Sequence, residues 1–329
     1  MPELPAVEFS KRLIEDHLKG QQIRTASFFA DAIVFGGVPE ADIQKALEGR
    51  RLVEVRRYGK YFWLVLHQEE TNQLAYLLIH LGMTGFVQVR GIDRLIYRSA
   101  PETVESLEKA EEWPPRFCKM ILDTKEKNAS LAFGDVRRLA RVRLLYNDPL
   151  TCAPVRDLGF DPLLDMPLYD AAFIARVHRR SVPLKTLLLD QTFAAGVGNW
   201  MADDIMLAAH IHPEARSNTL TDNQIKQLHA AIRYITVTAV NCNSDGAKFP
   251  SIWLFHQRWP KDRKSSSGLI EGHRIQYVTI GGRTTAFVPD LQKKTGSSMP
   301  STFMADLETT QPSSSKPSKR VKTQRGRPH

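Results

Sequence analysis

The sequence of 329 residues contains only three cysteines, and they are far apart. Because Cys118, Cys152 and Cys242 are odd in number and no CxxC pair occurs, a four-cysteine zinc site is excluded and a disulfide framework has no support. The sequence also lacks an apolar run of about 18 or more residues and a secretory signal. We therefore expect a protein of a reducing intracellular compartment with no membrane partner.

Positively charged residues outnumber negatively charged ones. Lys and Arg number 45 against 36 Asp and Glu, which gives a formal net charge of +9. A basic balance favours a polyanionic partner, either nucleic acid or an acidic membrane surface. Hydrophobic residues make up 42% of the chain, as is usual for a folded protein, and the length allows two domains with separate cores.

The hydrophobic pattern predicts a β-rich first half. Residues 5–19 are predicted to form an amphipathic helix, and a second, short helix is expected near 39–48. Segments rich in β-branched, aromatic and aliphatic residues then dominate, and we predict strands there. These strands are Leu52–Arg57, Tyr61–Leu66, Leu74–His80, Phe86–Arg90, Met120–Asp123, Leu131–Phe133 and Arg141–Leu145. Many short strands separated by turns predict a sandwich or a barrel.

The pattern becomes helical in the second half, so the fold class is α+β. The predicted helices are Ala171–Val177, Leu184–Leu189, Met201–Ala209 and Asp222–Val240. Strands are predicted at Ile275–Thr279 and Thr284–Val288, joined through Gly281-Gly282, and a disordered basic tail follows. The predicted domains are a β-sandwich over 1–150, a helical domain over 151–245, a hairpin over 246–292 and the tail over 293–329.

The N-terminus offers a reactive amine. A small second residue permits removal of Met1, which makes Pro2 a free secondary amine, and an α-amino group titrates near about 8 rather than near about 10.4 like lysine. Such an amine can attack a sugar C1′ and form an iminium, while Glu3 can transfer protons. The alternative is an ordinary start of a helix, where proline and acidic residues are common.

Several separated motifs occur in one order along the chain. They are MPELPAVE at the start, RRYGKY at 56–61, HLGMTG at 80–85, DVRRLARVRLL at 135–145, LLLDQTFAAGVGNWMADDIMLAAHIHP at 187–213 and GGRTTAFVP at 281–289. This series resembles the formamidopyrimidine-DNA glycosylase/endonuclease VIII family, in particular its plant and fungal branch without zinc ligands. The resemblance implies an N-terminal β-sandwich with flanking helices, a helix-two-turn-helix domain and a zincless β-hairpin finger.

The resemblance also implies roles for single residues. Lys60 would reach the active site and a phosphate of the lesion nucleotide, and Met83 would fill the gap left by a flipped base. Arg137 would pair with the orphaned base opposite. The residues alone favour other interpretations: a solvated turn lysine at Lys60, a core side chain at Met83 and a solvated turn at Arg137-Arg138.

Further DNA contacts are implied in the second half. Gly196 and Gly198 precede Asn199 and are expected to leave backbone N–H groups open at a helix N-terminus, which favours a phosphate. By resemblance Lys185, Asn199 and Arg283 contact DNA. Without cysteines, apolar burial has to hold the finger together. The residues expected to pack it are Trp253, Phe255, Ile275, Tyr277 and Phe287.

Two positions depart from the family pattern. Ala6 stands where the family has a glutamate, and Leu139 stands where it has a phenylalanine. The first change predicts weaker activity without its loss, since that carboxylate looks like a supporting group. The second predicts weaker discrimination of the opposite base, because a leucine side chain can insert between bases but has no aromatic ring to stack on them. Both changes leave open an alternative function, a catalytically weak lesion-binding damage sensor. A sandwich protein with no nucleic-acid role would leave the motifs unexplained.

The implied function is a bifunctional DNA glycosylase/AP lyase of base excision repair. It would remove formamidopyrimidines and hydantoins in preference to 8-oxoguanine through a Pro2 Schiff base, and then cut the strand by β,δ-elimination. We expect no metal or organic cofactor, a monomer, and double-stranded DNA with oxidised bases or abasic sites as partner. The tail contains the basic run KPSKRVK, which predicts location in the nucleus, and the run RGRP, which resembles the core of an AT-hook. The alternative is that the basic tail is solvated and has neither role.

Overall fold

The computed structural model describes residues 2–92, 112–257 and 268–294, and it has the predicted α+β organisation. The β-rich part comes first. Its elements are α1 (Leu4–Leu18), β1 (Ile23–Phe28), α2 (Glu40–Leu47), β2 (Arg51–Tyr58), β3 (Tyr61–Gln68), β4 (Gln73–His80), β5 (Gly85–Val89), β6 (Cys118–Thr124), β7 (Ser130–Asp135) and β8 (Arg141–Leu145).

Two four-stranded sheets of antiparallel pairs form a sandwich, as predicted. Their strand orders are β1-β6-β7-β5 and β2-β3-β4-β8. In β3 the run 62–66 is buried throughout, so both faces of this strand are covered. Phe62, Leu64 and Leu66 lie in the core between the sheets, whereas Trp63 and Val65 pack with Val155 of the following segment. The start of the helical part therefore already packs on the sandwich.

Helix α1 contributes to both cores of the protein. Val7, Ile14 and Leu18 lie in the sandwich core, but Leu4 lies in the core of the helical domain. Proline near the first turn and Gly20 just beyond the end bound this helix, as the sequence predicts. The first turn of the chain is thus inserted into the second domain.

The helical domain contains α3 (Ala171–His178), α4 (Leu184–Leu189), α5 (Asn199–Ala208) and α6 (Asp222–Asn241). Asp170 accepts from the Phe173 N–H at 2.9 Å and caps α3. Thr221 and Gln224 form a reciprocal capping box that begins α6. The predicted helices are confirmed, and these caps account for the N-termini of α3 and α6.

The finger follows as a pair of short hairpins, β9 (Leu269–Ile270) with β10 (His273–Arg274) and β11 (Gln276–Ile280) with β12 (Arg283–Phe287). Gly281 and Gly282 join β11 to β12 with φ of 57° and 74°, which is the two-residue turn that needs left-handed residues. Ile275, Ala286 and Val288 pack against Leu207 of α5. This apolar contact attaches the finger to the helical domain.

The predicted packing of the finger holds except at one residue. Trp253, Phe255, Ile275 and Phe287 are buried, but Tyr277 is 41% exposed and donates its hydroxyl to the Gln257 carbonyl at 3.0 Å. Tyr277 points outward because alternate residues of the short strand β11 face solvent. Within the described ranges, no cluster of three or more His, Cys, Asp or Glu could hold a metal ion.

The end of the described chain pairs with the helical domain. Lys293 donates its N–H to the His210 carbonyl at 3.2 Å and accepts the His212 N–H at 3.0 Å, although the predicted tail begins at this residue. The rest of the predicted tail lies outside the described residues. Among the helices of the described ranges, none is long and apolar enough to cross a membrane.

An aromatic cluster between α5, α6 and the segment before the finger suggests a stability test. Trp253 is 2% exposed and lies against Trp200, Phe249 and Tyr234, with ring centroids 5.0 to 6.2 Å apart. Trp253→Ala should lower the free energy of unfolding by about 3–5 kcal/mol, because it removes a large buried side chain. Denaturant unfolding followed by circular dichroism measures this.

Leu168→Ala is the matched control for that measurement. Leu168 is 80% exposed, so the same kind of apolar truncation should change the free energy of unfolding by less than about 0.5 kcal/mol. Equal effects of the two substitutions would contradict a core role for Trp253.

Candidate active site and DNA-binding surface

The carboxylate of Glu3 occupies the N-terminus of helix α5. It accepts the Trp200 N–H at 3.0 Å and the Met201 N–H at 3.2 Å, and the residue is only 2% exposed. The first N–H groups of a helix lack partners within the helix, and they carry partial positive charge. Glu3 is therefore held in one position, and the adjacent Pro2 is buried beside it.

The glycines before Asn199 make room for the start of the chain. A Cβ at Gly198 would lie 2.2 Å from the Glu3 carboxyl carbon, and one at Gly196 would lie 2.7 Å from Cβ of Leu4. The Leu4 N–H also donates to the Gly196 carbonyl at 3.1 Å. The sequence predicted that N–H groups at this helix N-terminus are open to a phosphate. This was wrong for the N–H groups of Trp200 and Met201, because the carboxylate of Glu3 accepts them.

Lys60 lies in the tight turn between β2 and β3 and reaches the same region. Gly59 adopts φ of 58°, and a Cβ there would be 3.1 Å from Cβ of Ala195, next to the glycines that hold the N-terminus. Burial lowers the pKa of Lys60, the charge of Arg283 lowers it further, and Glu3 opposes the change. Glu3 and Arg283 are therefore the neighbouring charges that act on Lys60.

A buried ion cluster supports the Lys60 turn, and the sequence did not predict it. The Arg57 guanidinium donates to Glu8 at 2.7 Å and to Asp161 at 3.1 Å, and the Gly59 N–H donates to Asp161 at 2.8 Å. Burial opposes the charge of Arg57, but the two carboxylates outweigh it and raise its pKa. Arg57 stands within RRYGKY, yet its partner Asp161 is 104 residues away, so no local pattern indicates the pair.

Met83, Arg137 and Leu139 lie on two turns that touch each other. Met83 is half-buried, whereas Arg137 is exposed and Leu139 is 40% exposed. Gly82 has φ of 62°, and a Cβ there would lie 2.5 Å from the Leu139 carbonyl group. Only a glycine therefore lets the two turns pack this closely.

The buried carboxylate of Asp135 ties these turns together. It accepts the Thr84 hydroxyl at 2.6 Å and the Ala140 N–H at 2.7 Å. The Arg137 N–H in turn donates to the Thr84 hydroxyl oxygen at 3.1 Å. The loop backbone that carries Arg137 is thereby fixed while its side chain stays exposed. No role was predicted for Asp135 or Thr84, although both stand inside recognised motifs.

His80 precedes the Met83 turn and is another residue whose role the sequence did not predict. Burial, together with the charges of Lys60 and Arg141, lowers the pKa of His80 to about 4, so its ring is neutral at pH 7. The Gly82 N–H donates to Nδ1 at 3.2 Å, and the ring packs on Tyr61 at 4.7 Å between centroids. A neutral His80 thus orients the glycine of the turn.

Asn199 and Arg283 lie where α5 meets the finger. The Asn199 side-chain amide donates to the Thr284 carbonyl at 3.2 Å. Arg283 is the exposed first residue of β12, directly after the glycine turn. The structure thus brings both predicted DNA contacts to the side of the molecule that holds Glu3 and Lys60.

Lys185 is not placed as the sequence predicts. It has no exposed surface, forms an ion pair with Asp203, and donates to the Asn199 carbonyl at 2.7 Å. The other oxygen of Asp203 accepts the Ala286 N–H of the finger at 3.1 Å. A direct DNA contact needs an exposed ammonium group, so here Lys185 instead supports Asn199 and joins the finger to α5.

Comparison with known domain families covers nearly all of the described chain. Residues 1–142 match the formamidopyrimidine-DNA glycosylase N-terminal domain, residues 158–251 the formamidopyrimidine-DNA glycosylase H2TH domain, and residues 253–289 the formamidopyrimidine-DNA glycosylase-like C-terminal domain. The three matches follow one another in the order of the sandwich, the helical domain and the finger.

Individual relatives and solved structures agree with these matches. Formamidopyrimidine-DNA glycosylase of Arabidopsis thaliana is 33% identical over 296 residues, which are 90% of this chain and 72% of that protein. The enzyme of that name from Heliobacterium modesticaldum is 30% identical over 307 residues, covering 89% and 100%.

The fold of a complex between Lactococcus lactis Fpg and an abasic site containing DNA is also similar. The TM-score is 0.68 at 23% identity, over 88% of this chain and 99% of that chain. The chain therefore belongs to the formamidopyrimidine-DNA glycosylase family of DNA-binding repair enzymes.

Proposed function

We propose that the protein is a bifunctional glycosylase and AP lyase that acts on double-stranded DNA containing oxidised purines or abasic sites. The observation that carries this proposal is the buried Pro2-Glu3 pair, held on the N-terminus of α5 beside Lys60. Lactococcus lactis Fpg has been solved with abasic-site DNA and with N7-benzyl-Fapy-dG DNA, which supports this substrate class.

The first step is covalent. The Pro2 nitrogen bonds to C1′ of the lesion nucleotide, the bond from C1′ to the base breaks, and the base leaves with the proton that the Pro2 nitrogen loses. Glu3 donates a proton to the sugar ring oxygen as the ring opens, which leaves an iminium between Pro2 and the sugar. The two N–H donors on Glu3 keep its carboxyl group at a fixed position next to the nucleophile.

The strand is then cut by elimination. The iminium withdraws electrons, so the C2′ proton becomes acidic, and its loss expels the phosphate on the 3′ side. A second elimination expels the phosphate on the 5′ side, and water releases the sugar remnant and restores the amine. Lys60 and Arg283 supply positive charge beside this site, where phosphates flank the reacting sugar.

Entry of the lesion requires the base to leave the helix. Met83 and Leu139 are the apolar side chains that fill the void, and Arg137 pairs with the orphaned base. Since Leu139 cannot stack as an aromatic ring does, recognition of the opposite base depends mainly on Arg137. We further propose that formamidopyrimidines and hydantoins are better substrates than 8-oxoguanine, which a panel of lesion duplexes can compare.

Ala6 and Leu139 favour a second candidate, a lesion-binding damage sensor without strand cleavage. Ala6 is buried in the first turns of α1, where the family has a glutamate, so the site has one carboxylate fewer. Glu3 and the N-terminal amine are both retained. The enzyme is therefore the better supported candidate, and the experiment below separates the two.

Borohydride trapping on duplex DNA with an abasic site or a hydantoin tests the nucleophile. Reduction should convert the iminium into a stable protein–DNA adduct that maps to Pro2. The control is protein with a blocked N-terminal amine, which should form no adduct. If correctly processed protein binds the lesion tightly but forms no adduct, the enzyme hypothesis is contradicted and the damage-sensor hypothesis is supported.

Gly198→Ala tests the contact that holds Glu3. The added methyl would lie 2.2 Å from the Glu3 carboxyl carbon, so the carboxylate has to move. We expect the single-turnover rate of base excision to fall by about a hundredfold, the scale of one acid–base group.

Gly20→Ala is the matched control. Gly20 has φ of 82° and nothing within 4 Å of its added Cβ, so this change strains the backbone without touching Glu3. Its excision rate should stay at the unsubstituted level. A Gly198→Ala protein with an unchanged rate would show that the position of Glu3 is unimportant.

We also propose that the protein works in the nucleus, as the basic residues of KPSKRVK favour. Removing residues 312–329 should abolish nuclear accumulation of a fluorescent fusion, and it should weaken binding to AT-rich duplexes if RGRP enters the minor groove. If the truncated protein keeps its nuclear location and its affinity for AT-rich duplexes, both proposed roles of the tail are contradicted.

A further inference from the structure

Two adjacent arginines in the loop after β7 have different surroundings. Arg138 donates from Nε to Asp31 at 2.9 Å and from Nη2 to the other Asp31 oxygen at 3.1 Å. This is the bidentate arrangement that matches a guanidinium to a carboxylate. The Arg137 guanidinium makes no ion pair with another residue of the described ranges.

The surroundings of Asp31 favour its ionised form and an ion pair with Arg138. Its side chain is almost fully buried in the loop between β1 and α2, and the Ile33 and Val34 N–H groups donate to one of its oxygens at 3.2 Å. Lys119 of β6 adds a second cation at 2.9 Å. Burial opposes ionisation, but the hydrogen bonds from Arg138 and Lys119 outweigh it, so the pKa of Asp31 is well below its usual range.

The backbone at Arg138 has an unusual conformation. Its φ is +58°, a left-handed value that residues other than glycine rarely adopt. Such a conformation persists only where the surrounding structure holds it. The bond to Asp31 supplies that restraint, while the neighbours Arg137 and Leu139 remain exposed.

We propose that Asp31 is a positioning residue that sequesters Arg138, so that Arg137 alone enters the void opposite the lesion. We call the bonds from Arg138 and Lys119 to this carboxylate the Asp31 clamp. This inference rests on the proposed function, in which Arg137 reads the orphaned base. If Arg138 were free, the loop could present either guanidinium, and the reading conformation would be only fractionally populated.

The test compares Asp31→Asn with the unsubstituted protein on duplexes that carry one lesion opposite each of the four bases. Asparagine keeps an oxygen for the Ile33 and Val34 N–H groups but loses the charge that holds the arginine. We expect single-turnover excision opposite the preferred base to slow by about fivefold. The opposite-base ratio, which is the excision rate opposite the preferred base divided by that opposite a disfavoured base, should decrease.

Arg138→Gln is a second variant that changes the partly exposed side of the clamp. It removes the competing guanidinium itself, so the opposite-base ratio should stay near that of the unsubstituted protein, and the double variant should recover the ratio that Asp31→Asn loses. Asp157→Asn is the matched control. It removes an exposed Asp–Arg pair with Arg156, at 3.0 Å, and should change neither the rate nor the ratio.

Borohydride trapping on a single-stranded abasic oligonucleotide separates the clamp from the chemistry, because no opposite base is present. Asp31→Asn should trap there as well as the unsubstituted protein. If the unsubstituted protein traps on no DNA, the proposed function fails. If it traps and excises, an opposite-base ratio that Asp31→Asn leaves unchanged overturns the Asp31 clamp. A loss of single-stranded trapping in Asp31→Asn that equals its loss of excision on duplex DNA overturns it as well.

Discussion

The bond between the Glu3 carboxylate and the start of α5 is the interaction on which the site depends. A side chain at the beginning of the chain satisfies N–H groups of a helix 197 residues later. It fixes the position of Pro2, and it draws Leu4 into the core of the helical domain. It also explains why glycines precede α5, since the first turn of the chain occupies the space of their missing side chains.

Two buried ion clusters support the elements that carry the predicted DNA contacts. Arg57 and its two carboxylates lie beneath the Lys60 turn, and the Lys185–Asp203 pair lies beneath Asn199 and the finger. Removing charge from water is unfavourable unless partners satisfy it, so these clusters add little stability as such. They do restrict the backbone to one arrangement. Flexible lysine and arginine side chains are thereby presented from rigid turns and strands.

Most of the secondary structure could be predicted, because helices and strands with one buried face carry a strong period. β1 was missed because only two of its six residues are buried, which leaves a weak pattern. Tyr277 was assigned to the core from its residue type, although its place in the strand turns it outward. The motifs led to Glu3, Lys60 and Arg283, which the structure brings together.

Tertiary pairings could not be predicted from local patterns. The family resemblance implies a DNA contact at Lys185, and its burial follows only from Asp203 on the next helix and the finger beyond it. Asp161, one of the partners of Arg57, and Asp31, the partner of Arg138, are 104 and 107 residues away along the chain. Gly196 and Gly198 were expected to leave N–H groups open for a phosphate, but the carboxylate of Glu3 accepts the N–H groups at the start of α5.

The insertion of the N-terminus into the second domain has a consequence for biosynthesis. A chain emerges from the ribosome from its N-terminus and folds domain by domain, so the groove around Gly196 and Gly198 does not exist while residues 2–150 are being made. Until then, the first residues have no partner in α5 and remain open to the aminopeptidase that removes Met1. In the finished protein Pro2 is buried. The contact between Glu3 and α5, and with it the placement of Pro2, therefore forms only after the helical domain has been synthesised.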